Sequence, residues 1–517
     1  MKSSGLWNRL NIGQKYAFVS TFIIGVLTHG MMLFNKYSFH DDLICIFQGG
    51  ATFSSGRWML FVAEKIKNLI FQDSLYSIPA FNGIFTFFCI AVSSCLLIDL
   101  FEIRSKYFSV LLSGIMVTIP VVTCMFGYMF TAQYFALSIL MAVLGSYLVL
   151  KKKQWYFIAA GIVLMACSVG IYQAYIPTML SILMFGLFMM FSRADTTEKR
   201  QEALKKTLVV IISCIAFMAL YALILFACLK ITGTQLSSYN GIDTSYKMPL
   251  SVYLQRALEA YREFFVLSRT SHFNVFPGLA YTMYEIMAFL FVFLLIRQTI
   301  LSFRINKING IFLLLFTLLS PLCINFIFVM VKRSGIYAMT AYSYTILIAF
   351  FLYLVEECIS SAESRFSRFS AAALYIGLGL MVVIFSRYDS ACYTRLEFSQ
   401  KQTYRYYTSL VTRMQSAPGY RMDMRVAYVG ENRWVPWDPT VTQESAFDFI
   451  NTHPFWGLRA NIGNSYKKYM ELWFDFKPRE ADSSYFYDLP EVQAMPSYPD
   501  DGSIKVIDDV LVVKFWP

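Results

Sequence analysis

Charged side chains are scarce in this 517-residue sequence. Asp, Glu, Lys and Arg together make up 15% of the chain, whereas soluble domains carry about a quarter. A soluble domain of this size needs more charge than that to cover its surface. The composition therefore excludes an ordinary soluble globular protein.

The sequence also lacks the motifs that usually bind nucleotides or metals. It contains no Walker motif, no Gly-x-Gly-x-x-Gly fingerprint and no His-Glu-x-x-His pair. The 10 cysteines form no Cys-x-x-Cys pair and lie mostly inside apolar runs, so neither a zinc site nor a disulfide framework is indicated. We predict no metal site and no bound cofactor, and the sequence leaves open whether a divalent ion assists.

Long apolar runs are what the sequence has instead. Hydrophobic residues make up 57% of the chain, and runs of about 20 apolar residues recur along it, each long enough to cross a membrane as a helix. We predict a polytopic α-helical membrane protein. Its transmembrane helices, about eleven in number, are expected at 16–34, 78–99, 107–126, 131–150, 154–172, 174–192, 207–229, 278–297, 310–331, 337–355 and 370–386.

The basic residues predict the orientation of these helices. The formal net charge is +11, and many Lys and Arg residues stand at the ends of apolar runs, as the positive-inside rule requires. Lys151–Lys153 and the 193–206 loop then lie in the cytoplasm with the N-terminus, whereas 35–77 and 230–277 form long outer loops. Contact with anionic lipid accounts for the positive charge, so we predict a membrane-lipid partner and no nucleic acid.

Each outer loop contains a segment with apolar and charged residues at helical spacing. These segments are 56–71 and 251–267. Such a pattern is typical of an amphipathic helix that lies along a membrane surface. We predict one such helix in each loop.

The composition changes near residue 387, where Pro, Asp, Tyr and Trp become more frequent and span-length apolar runs end. Residues 425–430 are typical of a buried strand, and 503–515 of two strands around an Asp-Asp turn. About 130 residues are enough for a separate core. We therefore divide the chain into a transmembrane region, 1–386, and an extracytoplasmic mixed α/β domain, 387–517.

Two adjacent acids, Asp41 and Asp42, follow the first apolar run, with His40 before them. A carboxylate costs about 3 kcal/mol at the centre of a spanning helix, so this pair should lie outside the hydrocarbon. One acid has a structural interpretation as the cap of a helix that begins at Leu43. A cap needs only one carboxylate, and apolar surroundings raise a carboxyl pKa toward the range of a general base, so we predict a catalytic role for at least one acid.

Arg57 and Trp58 come shortly after the acids. In the structural interpretation, a preceding serine caps an interfacial helix, Trp58 joins the aromatic belt and Arg57 reaches the surface. In the functional interpretation, Arg57 contacts phosphate or the acids. The residues alone favour the structural interpretation.

Two more polar pairs lie at the outer ends of predicted helices. Lys332 and Arg333 follow the ninth span against the positive-inside trend, which fits attraction to lipid headgroups and a phosphate clamp equally well. Tyr172 and Gln173 form the tight turn between the fifth and sixth spans. They fit membrane anchors and also sugar-hydroxyl ligands.

Three of these motifs together resemble a known family. The Asp-Asp pair, Ser55-Gly56-Arg57-Trp58 and Ser-Val-Gly-Ile-Tyr-Gln-Ala-Tyr at 168–175 are similar in order and spacing to the serotype-converting, O-antigen type membrane glucosyltransferases of the GT-C superfamily. The resemblance covers roughly 15–390 and is strongest up to about 190. It implies a GT-C-like fold and a catalytic acid at Asp41 or Asp42.

The resemblance also implies a reaction and its partners. The expected activity is transfer of a sugar, usually glucose, from a polyprenyl-phosphate carrier to a cell-surface polysaccharide, in the bacterial plasma membrane. The predicted site residues are Arg333, Lys332 and Arg57 for the donor phosphate, and Tyr172, Gln173, His40 and Trp58 for the sugar.

Two other functions remain open at this point. One is a transporter or flippase of lipid-linked sugars, and the other is a non-catalytic assembly protein that binds cell-envelope glycan. A transporter usually places ionisable residues and broken helices at the membrane midplane. Here polar residues gather at the outer ends of the spans, which favours an enzyme.

Overall fold

The computed structural model describes residues 6–237, 248–266, 275–331, 336–360, 365–432 and 465–516. The chain divides into two compact units. The first comprises Met1–Lys36 and Gly49–Ser390, and the second comprises Tyr37–Gln48 and Ala391–Pro517. A segment of the first predicted outer loop thus belongs to the same unit as the C-terminal part of the chain.

The first unit is helical in its described part. Its helices are α1 Leu6–Arg9, α2 Ile12–Leu33, α3 Trp58–Phe71, α4 Pro79–Leu100, α5 Lys106–Thr118, α6 Pro120–Gly127, α7 Met129–Lys151, α8 Trp155–Ile171, α9 Ile176–Ser192, α10 Thr197–Thr232, α11 Leu250–Phe265, α12 Leu279–Ile305, α13 Lys307–Ile324, α14 Ile327–Met330, α15 Ser343–Ser360 and α16 Arg365–Gln415. The last of these continues past Ser390 into the second unit.

Nine helices within the described ranges are long and apolar enough to cross a membrane. Six of them are single helices: α2, α4, α7, α10, α12 and α13. The other three are α5 and α6 taken together as one span, α9 together with the turn before it, and α16 from Ala371 onward. Helix α8 is shorter, at 17 residues, and α15 carries two glutamates near its end. The helices identify a membrane protein, while the number of eleven spans stays a prediction.

Small residues bring α7 and α8 close together. A Cβ on Gly145 would lie 2.8 Å from the carbonyl oxygen of Gly161, so only glycine fits at this contact. The hydroxyls of Ser138 and Ser168 lie 3.0 Å apart about two turns away on the same pair of helices. This packing fixes the end of α8, where the chain turns toward α9.

Helix α11 confirms the amphipathic helix predicted for the second outer loop. The backbone carbonyl of Phe264 accepts a hydrogen bond from Tyr284 Oη on α12 at 2.8 Å, which ties one face to the bundle. On the other face, Leu250, Leu254 and Leu258 are 73%, 59% and 71% exposed. The position of this leucine face along a membrane surface stays a prediction.

The second unit contains one small mixed sheet. Strands β1 Arg425–Val429, β2 Arg479–Glu480, β3 Ile504–Ile507 and β4 Val510–Lys514 lie in the order β2-β1-β4-β3. Strand β1 is parallel to β2 and β4, and β3 and β4 form an antiparallel hairpin. The strands predicted within 425–430 and 503–515 are therefore confirmed. Helices α17 Ser465–Phe474, α18 Ser483–Tyr487 and α19 Pro490–Gln493 complete the described part of this unit.

Both faces of the sheet are covered. Val426 and Tyr428 of β1 pack in a core with residues of α16 and α17, whereas Ala427 and Val429 pack with residues of α18 and α19. A strand that is buried on both faces reads as a continuous apolar run, which is why β1 was visible in the sequence.

Candidate functional site

Asp41 and Asp42 lie within a 3₁₀ turn, His40–Leu43. The backbone N–H of Asp42 donates to the Phe39 carbonyl at 3.0 Å, which closes the turn. The Asp42 side chain is fully buried, and that of Asp41 is half-buried. The interpretation of one acid as a helix cap is wrong, because both acids lie inside the turn and the chain after Leu43 continues without a helix.

The second unit holds this acidic turn in place. Leu43 is buried in a core with Tyr407 and Leu410 of α16. Gln400 Nε2, also on α16, donates to the Ser38 carbonyl at 2.6 Å. Burial of the apolar Leu43 against α16 therefore anchors the acidic turn to the C-terminal part of the chain.

Gly56 allows the loop before α3 to approach two polar side chains. Its φ is +72°, and a Cβ there would lie 2.6 Å from Gln173 Nε2 and 2.7 Å from Tyr221 Oη. Gln173 Nε2 donates to the Ser55 carbonyl at 2.8 Å and to Tyr221 Oη at 3.1 Å. Tyr221 Oη donates to the Gly56 carbonyl at 3.1 Å. These bonds tie the loop to α10 and to the turn after α8.

Arg57 and Trp58 follow this glycine. The guanidinium carbon of Arg57 lies 5.0 Å from the centroid of the Tyr172 ring, a cation–π contact. Trp58 is 6% exposed, and its indole packs against Gly170, where a Cβ would lie 2.7 Å from the ring. The predicted place of Trp58 in a lipid-facing belt is wrong because the ring is inside the bundle. Arg57 itself is the N-cap residue, so the serines before it do not cap α3.

Two buried N–H groups in this region have no hydrogen-bond partner among the described residues: Arg57 Nε and Trp58 Nε1. Buried polar groups are normally paired, so open donors beside a cation fit an anion or a sugar hydroxyl. We call Arg57, Trp58, Tyr172, Gln173 and Tyr221 the Arg57 cluster. It brings together four residues that were predicted separately from the sequence.

Glu64 is a buried acid that was not among the predicted site residues. It lies on α3, two helical turns after Arg57, and is 7% exposed. The Gly50 N–H donates to its carboxylate, and burial raises the pKa of Glu64 to about 7 despite this bond and two nearby lysines. The sequence contained a signal for the burial of Glu64, since this residue follows the apolar Leu60 by four positions and therefore lies on the same, buried face of α3.

Asp389 is a second buried acid that was not predicted. It lies on the part of α16 that belongs to the first unit, and its side chain is fully buried. Thr123 on α6 interacts with its carboxyl group. Buried acids in membrane bundles commonly mark functional positions. No sequence pattern indicated this burial, because Asp389 follows the predicted last span at 370–386.

Within the described ranges, no three His, Cys, Asp or Glu side chains are grouped so that they hold a metal ion.

A family model described as glucosyl transferase GtrII matches residues 30–354, well over half of the chain. The chain belongs to the glucosyl transferase GtrII family. The family resemblance inferred from the motifs is thereby confirmed, and membership identifies a membrane-type glucosyltransferase. No curated protein matches the chain.

The GtrII match includes the acidic turn, the Arg57 cluster and Glu64. Asp389 and the sheet lie beyond it. Lys332 and Arg333 fall within the matched range but outside the described residues, as does the side chain of His40. Their roles in donor and sugar binding stay predictions.

Proposed function

We propose that this GtrII family member transfers glucose from polyprenyl-phosphate-linked glucose to a cell-surface polysaccharide, at the outer face of the bacterial plasma membrane. The observation that carries the proposal is the Arg57 cluster, a cation with open N–H donors inside a region matched to glucosyltransferases. A lipid-linked donor also agrees with the lack of a nucleotide-binding motif in the sequence.

The reaction exchanges one bond for another at the anomeric carbon. The acceptor hydroxyl oxygen forms a bond to this carbon while one of Asp41 and Asp42 takes the hydroxyl proton. The bond from the anomeric carbon to the phosphate oxygen breaks, and its electron pair leaves with the polyprenyl phosphate. Accessibility favours Asp41 as the base, because Asp42 is fully buried.

The leaving phosphate gains negative charge as this bond breaks. Arg57 is proposed to stabilise that charge, since a guanidinium offers several N–H donors in a fixed plane and its buried Nε has no partner among the described residues. The ring of Tyr172 holds the guanidinium from one side. Lys332 and Arg333 are proposed as further phosphate ligands.

The proposal predicts that Asp41→Asn and Asp42→Asn differ from a surface control. Loss of the base is expected to lower kcat by about 10²–10⁴-fold in at least one of them. The measurement is glucose transfer in membranes supplied with polyprenyl-phosphate glucose and surface polysaccharide. Asp501→Asn, at an exposed position of the second unit, serves as the matched control and is expected to keep full activity.

Three results contradict the proposal. Full glucose transfer by folded Asp41→Asn and by folded Asp42→Asn would show that neither acid is the catalytic base. Movement of the lipid-linked donor across the membrane without its consumption indicates a flippase. Binding of polysaccharide by the wild-type protein with no turnover of donor indicates an assembly protein.

A further inference from the structure

Two acceptor atoms, Glu64 Oε1 on α3 and Gln133 Oε1 near the start of α7, are buried without a hydrogen-bond partner in the described residues. The Tyr134 hydroxyl is buried with them and has the Gln133 side chain as its hydrogen-bond neighbour. The three side chains are 7%, 7% and 5% exposed, so bulk water does not satisfy these atoms. Native proteins rarely leave buried polar groups unpaired, and two unpaired acceptors beside a buried hydroxyl call for an occupant.

The three side chains belong to one cluster. The Glu64 carboxylate acts electrostatically on the Tyr134 hydroxyl, and the Gln133 side chain forms a hydrogen bond with the same hydroxyl. Tyr134 and Gln133 are neighbours on α7, whereas Glu64 comes from α3. We call these residues the Glu64 cluster.

The backbone before α3 is shaped around the carboxylate. A Cβ on Gly49 would lie 2.3–2.5 Å from the Glu64 carboxyl atoms, so no larger residue fits without moving the acid. The next residue, Gly50, donates its N–H to the carboxylate. Two glycines thus allow the chain to wrap the acid, while its buried Oε1 has no hydrogen-bond partner in the part of the chain that the structure describes.

The cluster shares α3 with the Arg57 cluster. Glu64 follows Arg57, the N-cap residue of α3, by seven positions, which is about 10 Å along the helix axis and nearly two turns. On α7, Phe135 contacts the Tyr172 ring with centroids 4.7 Å apart, directly after Tyr134. The Glu64 cluster therefore lies about 10 Å along α3 from the proposed donor-phosphate site.

The chemistry of the open atoms selects their occupant. Glu64 Oε1 and Gln133 Oε1 accept hydrogen bonds, and Tyr134 Oη both donates and accepts. A sugar ring carries adjacent hydroxyls that each donate one bond and accept others, which matches this set. Burial also raises the pKa of Glu64 to about 7, so the acid exists in both forms near neutral pH and is able to donate or accept.

We propose that Glu64, Gln133 and Tyr134 form a sugar-binding subsite about 10 Å along α3 from Arg57. This inference rests on the proposed glucosyl transfer and extends it to a second set of residues. The ligand is a hexose unit with free hydroxyls, supplied either by the donor or by the acceptor polysaccharide. The alternative occupant is ordered water alone.

The test compares Tyr134→Phe with wild type in steady-state transfer assays. This substitution removes only the hydroxyl oxygen and keeps the ring, so the fold is retained. We expect KM to rise about tenfold for one substrate, equal to the loss of about 1.4 kcal/mol, with kcat changed less. A rise for polyprenyl-phosphate glucose places the donor sugar in the subsite, and a rise for the polysaccharide places the acceptor there.

Glu64→Gln is the second variant, and it keeps the shape of the side chain while removing its charge. Tyr156→Phe, at an exposed position of α8, is the matched control and is expected to leave both KM values unchanged. Unchanged KM values for both substrates in Tyr134→Phe overturn the subsite and indicate ordered water. That result leaves glucosyl transfer itself intact, whereas wild-type protein without donor consumption overturns the proposed function instead.

Discussion

At the residue scale, the environment of Glu64 sets its charge. Burial raises the pKa of its carboxyl from 4.5 to about 7, while the Gly50 N–H and the ammonium groups of Lys67 and Lys65 favour the charged form and oppose the rise. The groups that face it are thus two lysines of its own helix, one backbone N–H, and Tyr134 of α7. Desolvation raises the pKa of Glu64 by more than the lysines and the backbone N–H lower it.

This shift predicts how stability changes with pH. Between pH 4.5 and about 7 the folded protein keeps the Glu64 proton that the unfolded chain has lost. The stability that this proton contributes to the folded state is therefore complete below pH 4.5 and is lost as the pH rises through about 7. The free energy of unfolding falls by at most about 3 kcal/mol over this range. Thermal unfolding of the detergent-solubilised protein at pH 5 and pH 8 measures it.

Glu64→Gln is expected to weaken this pH dependence, because the amide does not titrate. Glu491→Gln, at an exposed position in the second unit, is expected to unfold like wild type at both pH values. The same pH dependence in Glu64→Gln and in wild type would show that Glu64 is charged throughout this range.

At the element scale, the β3–β4 hairpin shows how local chemistry fixes a turn. Its two central residues, Asp508 and Asp509, have φ of 50° and 59°. Positive φ at both positions is the geometry of a type I′ turn, which matches the twist of the strands. The Asp509 carboxylate also accepts a hydrogen bond from Arg421 Nη2 at 2.7 Å.

The turn predicts different effects for two substitutions at Asp508. Asp508→Val is expected to destabilise the hairpin by about 1–2 kcal/mol, because a β-branched residue strongly disfavours positive φ. Asp508→Asn is the matched control, since asparagine tolerates this conformation, and it should unfold at the wild-type temperature. Thermal unfolding of the full chain gives the comparison, and equal unfolding temperatures for the two variants would contradict the turn type.

At this scale the sequence predicted the elements better than their partners. The apolar run at 425–430 and the Asp-Asp turn made β1, β3 and β4 visible in advance. The pairing of β1 with β4 was not predictable, because those strands are about 80 residues apart and local patterns carry no information on such contacts. The short β2, with both residues exposed, has no apolar pattern at all.

At the scale of the whole molecule, the topology decides on which side each region lies. Nine candidate spans lie within the described residues, whereas the sequence predicts about eleven for the whole chain. Eleven is an odd number of crossings, so the prediction places the C-terminus opposite the N-terminus. With the N-terminus in the cytoplasm by the positive-inside rule, the second unit is proposed to lie outside.

Reporter fusions test this arrangement. A reporter that is active only outside the cytoplasm is expected to be active when fused after residue 517 and inactive when inserted in the 193–206 loop. The loop insertion is the control, since this loop contains several Lys and Arg residues. An inactive C-terminal fusion on a stable, full-length protein would reverse the proposed location.

The sequence by itself determined the membrane class, the family, the approximate position of the helices and the sheet strands. Apolar runs, positive ends and short motifs are local properties, so they can be read along the chain. Tertiary structure alone decided that Leu43 anchors Asp41 and Asp42 to the C-terminal unit, and that Trp58 is inside the bundle.

Tertiary structure also brought Arg57, Tyr172, Gln173 and Tyr221 together and revealed the unpaired atoms around Glu64. The physical reason is that burial and pairing depend on contacts between residues far apart in the chain. Packing between helices sets these contacts, so they exist only in the folded molecule.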